Sequence, residues 1–379
     1  MERDQASKFI NDLLKLLITR QGSDLFITAD FPPAIKVDGK LTKVSAQTLT
    51  PAHTMALVRS VMNDKQAAEF ERTRECNFAI APSSIGRFRC NAFVQQGNIG
   101  MVMRLIPQKL PTIDGLGLPQ ILKDVVLSKR GLTILVGATG TGKSTTLAAM
   151  VDWRNINSQG HILTVEDPIE FVHPHKNCIV TQREVGLDTD DWESALKNSV
   201  RQAPDVILMG EIRDRETMEH AIAFADTGHL CLATLHASSA NQAFERITNF
   251  FPEEERRAQL LVDLALNLRA IVSQRLLPKE NGKGRTAVFE VLLNTPLIAD
   301  MITKAQVGEM KDVMRRSREL GMQTFDQSLF DAFEAGQISY EDALRNADSQ
   351  NDLRLQIKLT SKRAKSPDLA AGTEHLQVV

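Results

Sequence analysis

The sequence predicts an α/β protein: a small mixed domain followed by a larger one built on a mainly parallel sheet. Three observations predict it. From about residue 120, short apolar runs alternate with helical stretches. Each of the runs Leu132–Val136, Ile162–Val165, Val206–Met209 and Leu230–Leu235 leads into a polar or glycine-containing cluster. Open parallel sheets hold their ligands at such strand ends. Before residue 106 the strand-like runs alternate apolar with polar residues, the pattern of an antiparallel sheet. The 379 residues suffice for two or three domains, each with its own core.

In chain order, Phe9, Leu13, Leu16 and Leu17 fall at helical spacing and predict an amphipathic first helix. The run Leu13–Ile18 is too short and too interrupted by charge to be a signal core or a membrane span. Strands follow at Leu25–Thr28, Ala34–Val37 and Leu41–Val44, with Asp38-Gly39 as the hairpin turn between the last two. Pro51–Phe70 reads as one helical stretch, and Cys76–Ile80, Gly86–Gln95 and Ile99–Leu105 as further strands. This places a first domain at residues 1–106. Residues 107–119, with three prolines and two glycines, read as a linker. The second domain is expected over 120–359, with a helical pattern through Glu253–Leu277, a strand at Thr286–Leu292 and helices to about residue 346. Residues 360–379, polar and low in aromatics, are expected to be a flexible tail.

Composition narrows the function. Lysine and arginine number 45 against 47 acidic residues, a formal net charge of −2 that gives no footprint for nucleic acid. Four cysteines lie far apart with no CxxC pair, which argues against a disulfide scaffold or a zinc ribbon and suits a reducing, cytoplasmic setting.

The strongest motif is Gly137-Ala138-Thr139-Gly140-Thr141-Gly142-Lys143-Ser144-Thr145, which fits GxxxxGK[ST] between an apolar strand and a helix. Its glycines let successive backbone N–H groups face a phosphate, Lys143 brings a charge and Ser144 can hold Mg2+. Val206–Met209 is an apolar strand leading to Glu211, where a carboxylate meets Mg2+ or its water. Glu166, Asp167 and Glu170 place three acids within five residues at another strand end, suited to orienting an attacking water. No NKxD-like element appears, which disfavours GTP. His229 and His236 bracket Leu230–Leu235 and in an extended strand lie roughly 23 Å apart, so they cannot share a metal. His236 falls at the carboxyl end, where a γ-phosphate could be sensed. His173 and His175 have no companion ligands nearby in the sequence.

Taken in order, GATGTGKST, ILTVEDPIE, VILMGEIRDRET and TGHLCLATLH resemble the four boxes of the secretion ATPases of the type II/type IV pilus superfamily. Ser23-Asp24-Leu25, Arg87–Phe93 and Arg104–Pro107 look like the amino-terminal domain of its twitching-motility, or retraction, branch (PilT/PilU type). Asp24–Thr28, Glu334–Tyr340, and Asn346–Asp348 through Asp352–Leu355 resemble the PilU side of that branch most. The tetracysteine zinc motif usual in assembly ATPases is absent, which favours retraction.

The resemblance implies a RecA-like P-loop ATPase domain preceded by a smaller PAS-like α+β domain, in a homohexameric ring. It implies ATP and Mg2+ as ligands, with Lys143 and Ser144 on phosphates and metal, and Glu211 supporting the metal. Glu170, aided by Glu166, would polarise water, and His236 would sense the γ-phosphate. Arg89 and Arg104 match arginines that reach the nucleotide from the amino-terminal side. The implied function is pilin depolymerisation at the pilus base, against an inner-membrane platform protein contacted without membrane insertion. An accessory ring dependent on a paralogous retraction ATPase, or a related secretion-system ATPase, is the alternative; a nucleic-acid translocase is disfavoured by the balanced charge.

Overall fold

The computed structural model describes residues 2–37, 39–107 and 109–363, and the chain divides into two compact units. The first comprises Met1–Lys109 with Glu170–Val172, the second Leu110–Ile169 with His173–Val379.

The first unit contains α1 (Arg3–Thr19), β1 (Asp24–Ile27), β2 (Ala34–Val37), β3 (Lys40–Lys43), α2 (Pro51–Val61), α3 (Asp64–Thr73), β4 (Glu75–Ile80), β5 (Arg87–Gln95) and β6 (Asn98–Ile106). Its six strands form one antiparallel sheet in the order β3-β2-β1-β6-β5-β4. Alternation does the sorting: Phe88, Cys90 and Ala92 of β5 are buried, while Arg87, Arg89 and Asn91 occupy the other face. The buried stripe of α1 is Ala6, Ile10, Leu13, Leu14 and Leu17; Phe9, expected on it, is 37% exposed, and Leu16 only half-buried. The single helix expected over 51–70 is two. Asn63 accepts from the Gln66 N–H at 2.9 Å and Gln66 Oε1 accepts in return from the Asn63 N–H, a capping box that restarts the helix. Asp38 of the expected hairpin turn lies outside the described residues, although β2 and β3 pair on either side of it.

The second unit begins with α4 (Ile121–Leu127), β7 (Gly131–Val136), α5 (Lys143–Asn157), β8 (Gly160–Glu166), β9 (Cys178–Glu184), α6 (Trp192–Ser199), β10 (Val206–Met209), α7 (Arg215–Asp226) and β11 (Leu230–Leu235). It continues with α8 (Ala240–Asn249), α9 (Glu254–Asn267), β12 (Leu268–Pro278), β13 (Arg285–Leu293), α10 (Pro296–Thr303), α11 (Met310–Arg316), α12 (Phe325–Glu334), α13 (Tyr340–Arg345) and α14 (Gln350–Thr360). The sheet order is β13-β12-β7-β11-β10-β8-β9, parallel throughout except for β13 on β12.

Successive residues of the central strands feed two cores. Ile207, Met209, Cys231 and Ala233 pack with α6–α10 on one face; Val206, Leu208, Leu230 and Leu232 pack with α4 and α5 on the other. A third cluster, including Leu277, Val288, Phe325 and Leu353, seats α12–α14 against the far end of the β12–β13 hairpin.

Three expectations change here. Leu268–Leu277 is a strand, not a continuation of the preceding helix. Lying between β7 and β13, it is buried on both faces and so lacks the alternation that marks a strand. The stretch 107–119 is not a plain linker, because Ile113 and Leu118 enter the core and the Leu118 N–H donates to the Ile113 carbonyl at 3.0 Å. The tail expected from residue 360 begins with an anchored segment. Ser361 is buried against Glu334, and Arg363 donates to Glu280 Oε2 at 2.6 Å and to the Phe333 carbonyl at 2.8 Å. Residues 364–379 lie outside the described residues.

Candidate active site

The loop after β7 is held in shape by its own atoms and by one buried side chain. Lys143 is buried, and its Nζ donates to the carbonyls of Gly137 at 2.8 Å and Ala138 at 3.0 Å. Gly142 caps α5 at φ +89°, and no side chain caps the helix, so its first N–H groups form an anion-binding end. Two glycines are required by space as well as angle. A Cβ on Gly137 would lie 2.4 Å from Thr141 Oγ1, and one on Gly142 would lie 2.9 Å from Gln274 Nε2. Gln274 explains the second clash. From the neighbouring β12 its Nε2 donates to the Thr141 carbonyl at 2.8 Å, and its Oε1 accepts from Thr146 Oγ1 at 2.7 Å. Ala138, Thr139 and Gly140 complete the turn, where Thr141 Oγ1 donates to the Ala138 carbonyl at 2.8 Å.

Three of the remaining candidates come together at the carboxyl ends of adjacent strands. Val136 pairs with Leu235 and Met209 with both Ala233 and Val165, so the loop, His236, Glu211 and Glu166 line one edge of the sheet. Neighbouring strands are spaced about 4.8 Å. His236 Nε2 lies 3.1 Å from Glu211 Oε1, and Arg213 Nε donates to Glu211 Oε2 at 3.0 Å. The Arg213 guanidinium also approaches Asp167 at 3.4 Å and lies over the Trp192 ring. Glu166 Oε1 accepts from Thr164 Oγ1 at 2.6 Å and from Gln182 Nε2 at 3.2 Å. Glu170 is different: it is exposed and has no hydrogen-bond partner among the described residues.

As for the metal, the Ser144 hydroxyl is half-buried beside Lys143 and has no hydrogen-bond partner among the described residues. Glu211 keeps a partly exposed carboxylate. Hydroxyl and carboxylate oxygens are the hard donors Mg2+ takes, so the residues fit it.

The other histidines have structural positions. His229 Nδ1 lies within hydrogen-bond distance of Thr227 Oγ1 and the Phe224 carbonyl ahead of β11, and His175 Nδ1 accepts from the Val180 N–H at 3.0 Å. His173 is buried, and burial pulls its imidazole down to about 4, which keeps it neutral.

In the first unit, Arg89 and Arg104 stand directly opposite each other across β5 and β6. Like charges in that register destabilise a sheet. Asp24, buried and in register with Arg104, accepts from its Nε at 2.7 Å and is held by Ser23 Oγ, also at 2.7 Å. Arg89 has no such partner among the described residues.

Gln274, which braces the phosphate loop, and Gln182, which bonds Glu166, are announced by no motif, and neither is the cleft beside the loop. Gly142, Thr145, Leu276, Thr286, Gln337 and the 114–118 turn line a hollow of about 880 Å³, on the side of the loop away from Glu211. A volume of that order suits a nucleoside.

A glycine loop at the end of one parallel strand, with acids and a histidine on its neighbours, defines a RecA-like P-loop ATPase core behind a smaller α+β domain. The chain belongs to the type II/IV secretion system protein family, whose model matches residues 2–345. It is 60% identical over 350 residues to the type IV pilus ATPase PilU of Pseudomonas aeruginosa, covering 92% of this chain and 91% of that one. It is 42% identical over 338 residues to the type IV pilus retraction ATPase PilT of the same organism, covering 89% and 98%. The crystal structure of the pilus retraction motor PilT with bound ADP superposes with a TM-score of 0.85 at 37% identity, over 91% of this chain and 99% of that one.

Proposed function

We propose that this chain is an ATP-hydrolysing motor of type IV pilus retraction, working as a homohexameric ring in pilin depolymerisation and twitching motility. The observation that carries the reading is the intact phosphate loop with Glu211 and His236 paired two strands and one strand away.

In this reading the first N–H groups of α5 and Lys143 bind the phosphates of ATP, and the nucleoside occupies the cleft along Leu276 and Thr286. Ser144 and Glu211 would hold Mg2+, which supplies charge neutralisation on the phosphates when bound. His236, fixed through Nε2 by Glu211, faces the terminal phosphate. Glu170 accepts the proton of the attacking water, with Glu166 held nearby by Thr164 and Gln182. Arg89 and Arg104 supply positive charge as the transferring phosphate becomes more negative. Closure is favoured by ATP and relaxed by phosphate loss, because only the triphosphate offers all these groups a counter-charge.

The ring works at the cytoplasmic face of the inner membrane against a platform protein. No helix among the described residues is long and apolar enough to cross a membrane.

The test is ATP hydrolysis by the purified protein and by Lys143→Ala, each with and without DNA, with mass from light scattering. Lys143-dependent turnover near six subunits and indifferent to DNA is the expected result. A folded ring without turnover would move the assignment to an accessory ring dependent on a paralogous ATPase. DNA stimulation would reassign it as a translocase.

A further inference from the structure

Asn346-Ala347-Asp348 contributes to the family resemblance and has no role in the site as described. In the structure this turn between α13 and α14 is the outer end of a chain of charged groups. Arg275 of β12 donates from Nη1 to the Asn346 carbonyl at 2.7 Å and from Nη2 to Asp348 Oδ1 at 3.2 Å. Its guanidinium stacks over the Phe325 ring, 3.7 Å from the centroid. Asp348 Oδ2 accepts from Lys311 Nζ at 2.6 Å. Asp326 fixes the turn, accepting from the Asp348 N–H at 2.7 Å and the Ser349 N–H at 3.2 Å.

Lys311 leads inward. Its Nζ lies 3.8 Å from Oε2 of Glu290, a fully buried carboxylate on β13. That oxygen has no hydrogen bond, while Oε1 accepts from the Ala240 N–H at 2.7 Å and from Ser273 Oγ at 3.2 Å. Burial pushes the Glu290 carboxyl above its ordinary range, and the Lys311 charge opposes that rise.

The inner ends of this chain land beside the hydrolytic residues. Ala240 opens α8 only four residues after His236, and Arg275 Nη2 also reaches the Ser238 carbonyl at 3.5 Å. Ser273 and Arg275 flank Gln274 on β12. Because side chains alternate along a strand, they serve one face of the sheet while Gln274 braces the phosphate loop from the other.

We propose that Asp348 and Glu290 are positioning residues for hydrolysis: from the α13–α14 turn and from β13 they fix the segment Ser238–Ala240, and with it the His236 imidazole against Glu211. The inference rests on the proposed ATPase function. Removing Asp348 leaves Lys311 and Arg275 without their shared counter-ion, and the Arg275 contact to the Ser238 carbonyl loses its support. A displacement of about 1 Å at a reacting group can lower a rate by two orders of magnitude.

The experiment is steady-state and single-turnover hydrolysis by the full chain, with ATP affinity and thermal stability measured beside it. Asp348→Ala is expected to lower kcat about tenfold with KM for ATP changed less than twofold. Asp348→Asn, which keeps an acceptor in place, is expected to restore part of the loss. In a His236→Ala background, Asp348→Ala is expected to have less than a twofold further effect, because it acts through that histidine. Equal losses in both backgrounds, or a loss confined to KM, would overturn the proposal. Should Asp348→Ala fold poorly, Glu290→Gln carries the same comparison, since it keeps volume and the Oε1 acceptor. Wild-type protein without hydrolysis would sink the ATPase reading itself. Wild-type turnover with a fully active Asp348→Ala would sink only this one.

Discussion

The segments that leave β7 and β8 exit the same edge of one sheet, yet they are built in opposite ways. After β7, residues 137–142 are bonded from within and from β12, and two glycines sit where no Cβ fits. After β8, Glu166 is tied down at the strand end, but Glu170 projects without a partner among the described residues. In the proposed reading the difference separates binding from chemistry. Holding a polyphosphate rewards a cradle formed beforehand, and Glu170, in that reading, engages the attacking water once it is in place.

The contrast can be broken first at its rigid end. Lys143→Ala is expected to abolish nucleotide binding, an affinity loss of at least a hundredfold by equilibrium titration, since it removes the one buried cation of the loop. Retained binding would mean that the backbone N–H groups suffice. Gln274→Ala comes next. It strands the Thr141 carbonyl and the Thr146 hydroxyl, each at about 1–3 kcal/mol if left unpaired, so ATP affinity should fall roughly tenfold and the melting temperature by several degrees. Unchanged affinity would show that the glycines alone shape the loop.

At the other segment the signs reverse. Gln182→Ala removes one of the bonds that hold the Glu166 carboxylate and leaves the 173 N–H without its acceptor, and should lower kcat several-fold with little change in ATP affinity. A loss of binding instead would erase the distinction between the two segments.

One further effect is on stability and involves no nucleotide. His173, at the end of the second segment, titrates near 6.5 when unfolded and at about 4 when folded. The unfolded chain therefore binds more protons between those values, and stability falls as pH drops through that window. The contribution is about 2 kcal/mol between pH 7 and pH 5. Wild type should lose more of its melting temperature over that range than His173→Gln does, and parallel curves would dismiss the buried histidine as the cause.

The two segments also differ in how much of them can be read from residues alone. The phosphate loop is legible because its chemistry is local: the glycines, Lys143 and Ser144 act within nine positions of one another. Gln274 is not, because its partners Thr141 and Thr146 are more than 125 residues away and it sits in a strand that reads as the tail of a helix. Gln182 is hidden in the same way, on β9, an edge strand with weak alternation. The sheet's central strands are plain from their apolar runs. Hidden in the sequence are the strands and turns whose identity depends on what they pack against: β12, β9 and the Ile113–Leu118 turn.

The opposed arginines of the antiparallel sheet give ionic strength an unusual standing. Directly paired residues on adjacent strands stand about 5 Å apart, whereas the screening length in physiological salt is about 8 Å. Where the two guanidinium groups come within that length, dissolved ions screen their repulsion only in part, and Asp24 answers only one of the two charges. An anion lodged against Arg89 would neutralise the charge that Asp24 leaves unanswered. If the proposed role of Arg89 holds, a bound polyphosphate relieves that repulsion and steadies the sheet in a way that bulk salt does not reproduce.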